Sequence, residues 1–281
     1  MSKYLTTIDH NRDITGMRYI YPVISRRARG VSIGINLNPN NACNWRCIYC
    51  QVPNLQRGGP PPIDLPLLEQ ELRTFLHEIL HGNFMQAFVP EDARHIMDIA
   101  FSGNGEPTMA NEFPQIIRLV GNLMHEFHLP EQHIKLRLIT NGSQMAETKV
   151  LDTIAEMRQY NGEVWFKVDT GTTAGFERIN SIQMKPENVI KRLIACAQHC
   201  PTWVQSCMFC LDGNPPDEAE ILAYLNILQQ ASHILQGVHV YGVVRPSYQP
   251  EVSRISAVSD DWMHTLASRI QALGLQVQIS P

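Results

Sequence analysis

Short β-rich runs alternate with stretches of helical spacing along most of the chain, and this alternation limits the fold more than any other feature. Residues 31–37 (VSIGINL) place apolar and polar side chains at strictly alternate positions, which predicts a strand. Residues 98–101, 135–140, 164–168, 203–209 and 238–244 read as further strands, and 275–279 as a last one. Between them, 65–80, 110–127, 146–159, 186–198, 218–232 and 260–273 carry helical spacing, with Pro186 suited to a first turn. Strands that alternate with helices build parallel sheets through right-handed crossovers. About six βα units fall short of the eight of a closed barrel. The expected fold is therefore α/β, a partial (β/α)6 TIM-like barrel with parallel strands; a doubly wound open sheet is the alternative. In either, chemistry belongs at the C-terminal ends of the strands. Residues 1–30 read as an N-terminal extension and 31–281 as a single core domain.

Composition matters mainly through the cysteines. The N-terminus, MSKYLTTIDHNRDITG, lacks the apolar stretch of a secretion signal, and no apolar run is long enough to cross a bilayer. A cytoplasmic protein with no membrane association is expected, with its thiols reduced. Seven cysteines, an odd number, then point to metal or catalysis rather than to disulfides. A net charge of −4 supplies no global basic field to recruit nucleic acid.

Cys43-Asn-Trp-Arg-Cys47-Ile-Tyr-Cys50 directly follows the first predicted strand, which puts it on the active face. Thiolates this close can hold three corners of a [4Fe–4S] cubane, a cluster that usually takes four cysteines. The fourth iron then stays open to a small chelating molecule, as an open position makes a zinc site catalytic. An amino acid's amine and carboxylate suit such an iron. Zinc itself is the competing reading, but no further cysteine or histidine lies near enough in sequence to complete four ligands.

A second group, Cys196, Cys200, Cys207 and Cys210, has enough thiols for an auxiliary cluster or a zinc ion. Against this, Cys196 has apolar helix neighbours, and three-residue spacing puts Cys207 and Cys210 on opposite strand faces. Buried free cysteine also serves as a small hydrophobe, so both readings stay open. Cys207 shares a strand face with Gln205 and could line a cavity. Strand alternation assigns the other faces too. Val31, Ile33, Ile35 and Leu37 should pack under helices; Ser32, Gly34 and Asn36 should face the barrel interior, with Lys135, Arg137, Asn141, Lys167, Asp169, His239, Tyr241 and Arg245. A polar interior predicts a cavity for polar ligands.

The cysteine spacing, with Tyr49 before the last cysteine, resembles the signature of the radical S-adenosylmethionine superfamily. Ser102-Gly103-Asn104-Gly105-Glu106-Pro107-Thr108 after the second strand is similar to that superfamily's glycine-glycine-glutamate motif. Thr140-Asn141-Gly142 and Lys167-Val168-Asp169 match its pattern at the next two strand ends. The resemblance implies that a [4Fe–4S] cluster on Cys43, Cys47 and Cys50 chelates S-adenosyl-L-methionine and cleaves it reductively to a 5′-deoxyadenosyl radical. It further implies that the turn of Gly103, Asn104, Gly105 and Glu106 receives the methionyl ammonium. Asn141 and Asp169 would meet the ribose or methionyl portion, and Tyr49 the adenine. A low-potential electron donor, flavodoxin or ferredoxin, is implied as partner. Arg137, Lys167 and Arg245, if buried, need anionic partners, which the S-adenosylmethionine carboxylate or an acidic substrate would supply.

Phe101 to Thr108 and Phe176-Glu-Arg-Ile-Asn180 are most similar to the branch with wyosine-forming tRNA-modifying enzymes. Those carry an additional cluster on cysteines ahead of the main motif, and this chain has no cysteine before Cys43. Nucleic-acid contact rests on that similarity and on Arg26, Arg27 and Arg29, a short basic run of a kind that is usually a solvated face. The substrate is open among nucleoside or tRNA, peptide and small metabolite. An iron–sulfur electron carrier or sensor is the alternative, although a carrier needs no glycine turn and usually offers its cluster four ligands.

Overall fold

Seven parallel strands and one antiparallel neighbour form a single curled sheet, a half-barrel, in the computed structural model, which describes Leu5, residues 15–25 and residues 30–280. The strands are β1 (Ile20–Ser25), β2 (Gly30–Ile35), β3 (Ile96–Phe101), β4 (Lys135–Thr140), β5 (Gly162–Lys167), β6 (Thr202–Met208), β7 (Gly237–Gly242) and β8 (Val277–Ser280). Their spatial order is their chain order. Strands β2 to β7 are each followed by helix: α1 (Leu65–His81), α2 (Phe113–Glu126), α3 (Thr148–Glu156), the pair α4 (Thr173–Asn180) and α5 (Pro186–His199), α6 (Glu218–Ala231) and α7 (Asp260–Gln271). That is the expected partial barrel.

Strand β1 lies within the segment read as an extension. It pairs antiparallel with β2 along six residues, Ile20 opposite Ile35 and Ser25 opposite Gly30. Pro22 in this strand masks the signal in the sequence, and the structure resolves the conflict by placing β1 at the sheet edge, where a missing N–H is tolerated. Among the described residues no helix is long and apolar enough to cross a membrane. The Arg26, Arg27 and Arg29 cluster lies outside the described residues.

The core sits between the sheet and its helices. Val31, Ile33, Ile35 and Leu37 are fully buried there with Leu68, Leu72 and Leu76 of α1. Helix α1 starts where it does because the Asp64 side chain accepts from the Leu67 N–H at 3.1 Å and Pro66 occupies the first turn.

The opposite face of the sheet is polar, as alternation predicts, but its charges are satisfied differently from expectation. Arg137 was expected to need a ligand's anion; its partners are two carboxylates of the chain. It ion-pairs with Asp98, and with Glu163 at 2.7 Å, from strands on either side. Ser32 donates to Asp98, Trp165 Nε1 donates to Glu163 at 2.9 Å, and the Arg137 guanidinium stacks 4.1 Å from the Trp165 ring. His239 lies between Trp165 and Trp203, at ring distances of 4.4 and 4.6 Å. Neighbouring parallel strands hold these side chains in register: Arg137 pairs with Glu163, and Trp165 with Trp203.

Candidate active site

The loop leaving β2 is shaped by asparagines before it reaches the cysteines. Asn36 Oδ1 accepts the Asn38 N–H at 3.1 Å and the Asn104 N–H at 3.0 Å, so one side chain ties the β2 and β3 exits together. Asn38 Nδ2 donates to the Ala42 carbonyl at 2.8 Å, turning the chain back. A short ladder of Ala42–Cys43 with Gln56–Arg57 then closes the loop on itself.

Two distant segments grip the cysteine loop. The Arg46 and Ile48 N–H groups donate to the carbonyls of Asn180 and Ile179, at 3.1 and 2.9 Å, so the end of α4 docks on the loop through backbone. After β7, Ser247 Oγ donates to the Ile48 carbonyl at 2.7 Å and to that of Cys50 at 3.0 Å. The Tyr248 N–H also donates to the Cys50 carbonyl at 3.0 Å, and buried Gln249 donates to Val52 at 3.2 Å. Arg46 and Glu251 add a two-pronged ion pair, both bonds 2.8 Å.

Cys43, Cys47 and Cys50 thereby reach one cavity of about 310 Å³ at the C-terminal mouth of the half-barrel. The turn of Gly103, Asn104, Gly105 and Glu106 lines the same cavity, as do Asn141, Tyr49, Lys167 and Arg245. The turn needs its glycines for packing. A Cβ on Gly103, at φ +138, would lie 2.5 Å from Asn36 Oδ1, and one on Gly105 would lie 2.2 Å from the Ala42 carbonyl. Glu106 is buried and braces the rim: its carboxylate accepts from Thr108 Oγ1 at 2.6 Å, Thr140 Oγ1 at 2.8 Å and the Asn141 N–H at 2.6 Å. Asn141 passes this order on, donating through Nδ2 to Asn44 inside the cysteine loop at 2.9 Å.

Asp169, expected to face the ligand, does not line this cavity: it sits behind the opposite wall and braces it. Its side chain has 0% exposure and receives Tyr49 Oη at 2.5 Å, Asn180 Nδ2 at 3.2 Å, the Cys207 N–H at 3.0 Å and the Lys167 ammonium at 3.4 Å. Lys167 also donates to Tyr241 Oη at 2.8 Å and sits between the Tyr49 and Tyr241 rings. Burial, the largest single influence, would lower its pKa, but the Asp169 charge together with Tyr241 and Cys207 outweighs it and holds it above the usual lysine range. Desolvation pushes the Cys43 thiol up to about 12, partly offset by the Trp45 N–H, and pushes Cys47 up as well, with the Asp169 charge adding to it. Metal binding to these cysteines must therefore expel thiol protons.

The donor set fits a [4Fe–4S] cluster. Three thiols line one concavity, and N–H donors already point at two sulfurs: Trp45 N to Cys43 Sγ at 3.5 Å and Asn180 Nδ2 to Cys47 Sγ at 3.2 Å. Among the described residues no three His, Cys, Asp or Glu side chains gather as around one metal ion. A cubane has no such requirement, since each thiolate binds a different iron. The second cysteine group is dispersed. Cys196 and Cys200 are fully buried in the helix-side core, whereas Cys207 belongs to a separate cluster with Ile48, Ile179 and Phe209. Cys207 lines the cavity, as its strand face predicts. Asn44, Asn180, Ser247 and Gln249 have no periodic or motif signal that marks them as site residues; Asn180 enters the sequence reading only through the Phe176 to Asn180 resemblance.

The fold and site define a class: a half-barrel with a three-cysteine loop at its mouth. The family model of the Radical SAM superfamily matches residues 37–225, well over half of the chain, and the chain belongs to that superfamily, whose members use a [4Fe–4S] cluster and S-adenosylmethionine. Among solved structures, a radical SAM methyltransferase from Sphaerobacter thermophilus is similar at a TM-score of 0.60 and 12% identity, over 89% of this chain and 66% of that one. SuiB of Streptococcus suis, solved with S-adenosylmethionine bound, is similar at a TM-score of 0.54 and 10% identity, over 91% of this chain and 49% of that one. At such identities the likeness is one of fold. GTPase Obg of Brachyspira hyodysenteriae is 29% identical over 126 residues, 45% of this chain and 16% of that protein. The chain thus spans about half the length of SuiB and about a sixth of that curated relative.

Proposed function

We propose that this chain is a radical enzyme in which Cys43, Cys47 and Cys50 hold the [4Fe–4S] cluster. The turn of Gly103, Asn104, Gly105 and Glu106, with Asn141, seats S-adenosylmethionine beside it, and the barrel interior takes the substrate. One observation carries this reading: three thiols and the glycine turn face a single cavity that runs on into the barrel. The bound cluster supplies the electron for reductive cleavage of a carbon–sulfur bond in S-adenosylmethionine. The residues of this chain position that chemistry and keep water from it. Tyr49 and Lys167 form the wall on which the adenosyl portion rests, held from behind by Asp169, with Arg245 at the rim. Asn104 Oδ1 and Gln205 Nε2, both buried and without a hydrogen-bond partner among the described residues, suit a polar ligand.

The charge pattern narrows the substrate. Arg137 and Lys167 are already ion-paired within the chain, so a buried phosphate or carboxylate gains little from them. The substrate group that enters the barrel is uncharged and polar, and any anionic portion stays outside. A low-potential flavodoxin or ferredoxin delivers the electron. The test is anaerobic reconstitution with iron and sulfide, then incubation with S-adenosylmethionine and dithionite. Release of 5′-deoxyadenosine is expected, and a fully loaded cluster that releases none would overturn the reading.

Lys167→Met tests the wall. It removes the cation from Asp169 but leaves three hydrogen-bond donors, so about 1–3 kcal/mol of stability should be lost. The variant should also show a smaller rise in Tm on adding S-adenosylmethionine. An unchanged ligand-induced rise would make Lys167 part of the scaffold only.

A further inference from the structure

We infer that Asn180 is a positioning residue that sets the reduction potential of the cluster through a hydrogen bond to the Cys47 sulfur. The inference rests on the proposed function and adds a residue to it. Asn180 is fully buried at the C-terminal end of α4. Its Nδ2 lies 3.2 Å from Cys47 Sγ and 3.2 Å from Asp169 Oδ2. The side-chain orientation is dictated by chemistry: the Asp169 carboxylate accepts only, so the amide nitrogen must face it, and the same NH2 reaches the sulfur. Oδ1 has no hydrogen-bond partner among the described residues, so a flipped amide would lose both bonds.

The backbone holds this amide in place. The Asn180 carbonyl accepts the Arg46 N–H at 3.1 Å, the Ile179 carbonyl accepts the Ile48 N–H at 2.9 Å, and Ser181 Oγ donates to the Arg46 carbonyl at 3.0 Å. The residues on either side of Cys47 are thus pinned to the residues on either side of the Asn180 side chain. The sulfur and its donor cannot drift apart without breaking that docking.

Hydrogen bonds to cluster sulfurs are among the factors that set cluster potentials. Reduction adds negative charge to the iron–sulfur unit, and an N–H donor at a ligating sulfur stabilises the reduced form more than the oxidised one. Asn180 therefore raises the potential and eases loading of the electron. Its second bond, to Asp169, ties this effect to the wall that includes Tyr49 and Lys167.

Asn180→Leu keeps the size and the backbone contacts and removes the donor. With the reconstituted variant poised at the wild-type midpoint, the ratio of reduced to oxidised cluster should fall about tenfold, the factor one hydrogen bond to a charged acceptor carries. For a one-electron couple that is about 59 mV. Asn180→Ala, smaller and likewise without the donor, should fall as far and serves if the leucine variant does not fold. A second measurement uses the metal-free chain, where loss of the Nδ2 contact should change the rate at which iodoacetamide labels Cys47 while that of Cys43 stays the same. A purely structural Asn180 would lower the iron content but leave the potential of the surviving clusters at the wild-type value, and that result would overturn the inference. Failure of the wild-type protein to bind a cluster that responds to S-adenosylmethionine would instead sink the proposed function.

Discussion

Replacing Cys43, Cys47 and Cys50 together by alanine is expected to abolish the cluster, taking bound iron from about four atoms per chain to none. The reason is that these thiols are the ones gathered at the mouth of the barrel, while Cys196 and Cys200 lie buried among helix-side apolar groups. A second cluster on the later cysteines would need thiols from both sides of the sheet, since Cys207 faces the cavity. Wild-type protein should therefore load about four irons rather than eight. The EPR signal of the reduced wild-type cluster should change on adding S-adenosylmethionine, because an iron without a protein ligand is open to it. In the triple variant no such signal should appear. If iron stays at about four per chain in that variant, the ligands have been assigned to the wrong cysteines. Thermal melting of the metal-free proteins supplies the control. The three thiols are only partly buried, so their replacement should leave the fold in place.

Arg137→Met should have the largest effect on stability away from the cysteines. The substitution leaves Asp98 and Glu163 buried on the strands either side of β4 with no cation between them. Breaking a buried ion pair by removing one partner costs about 3–5 kcal/mol. For a chain of this size that is a fall in Tm of roughly 10 °C. The packing of the guanidinium on Trp165 is lost as well, although methionine fills much of the space. Combining Arg137→Met with Asp98→Asn and Glu163→Gln removes all three charges and should recover part of the loss, because well-packed neutral groups often replace buried ions at little cost. A single variant as stable as wild type would mean that the triad does not hold the barrel floor together.

Both predictions draw on residues of different legibility. The cysteine loop was readable because its spacing is local: eight consecutive residues carry the three ligands, and the preceding strand shows in the alternation from Val31 to Leu37. The faces of Arg137 and Lys167 were readable for the same reason, since a period of two needs only near neighbours. Their partners were not. Arg137 meets Asp98 and Glu163 across 39 and 26 residues of chain, and only the register of three parallel strands decides that the three side chains coincide. A charged residue facing a barrel interior reads the same whether a ligand or its own chain neutralises it.

Local sequence was enough for the strand–helix alternation, the parallel sheet that follows from it, and the placement of cysteines, glycine turn and Asn141 at successive strand ends. Each of these depends on residues a few positions apart, where backbone geometry alone sets which side chains share a face. The choice of a half-barrel over an open sheet was not local. Tertiary structure alone decided that β1 joins the sheet edge, that Asp169 is shared among Tyr49, Lys167 and Asn180, and that the loop is clamped from both sides. Asn180 reaches Cys47 across 133 residues, and Ser247 reaches Cys50 across 197. Such contacts leave no local pattern, because what brings them together is the closing curvature of the sheet, a property of all its strands at once.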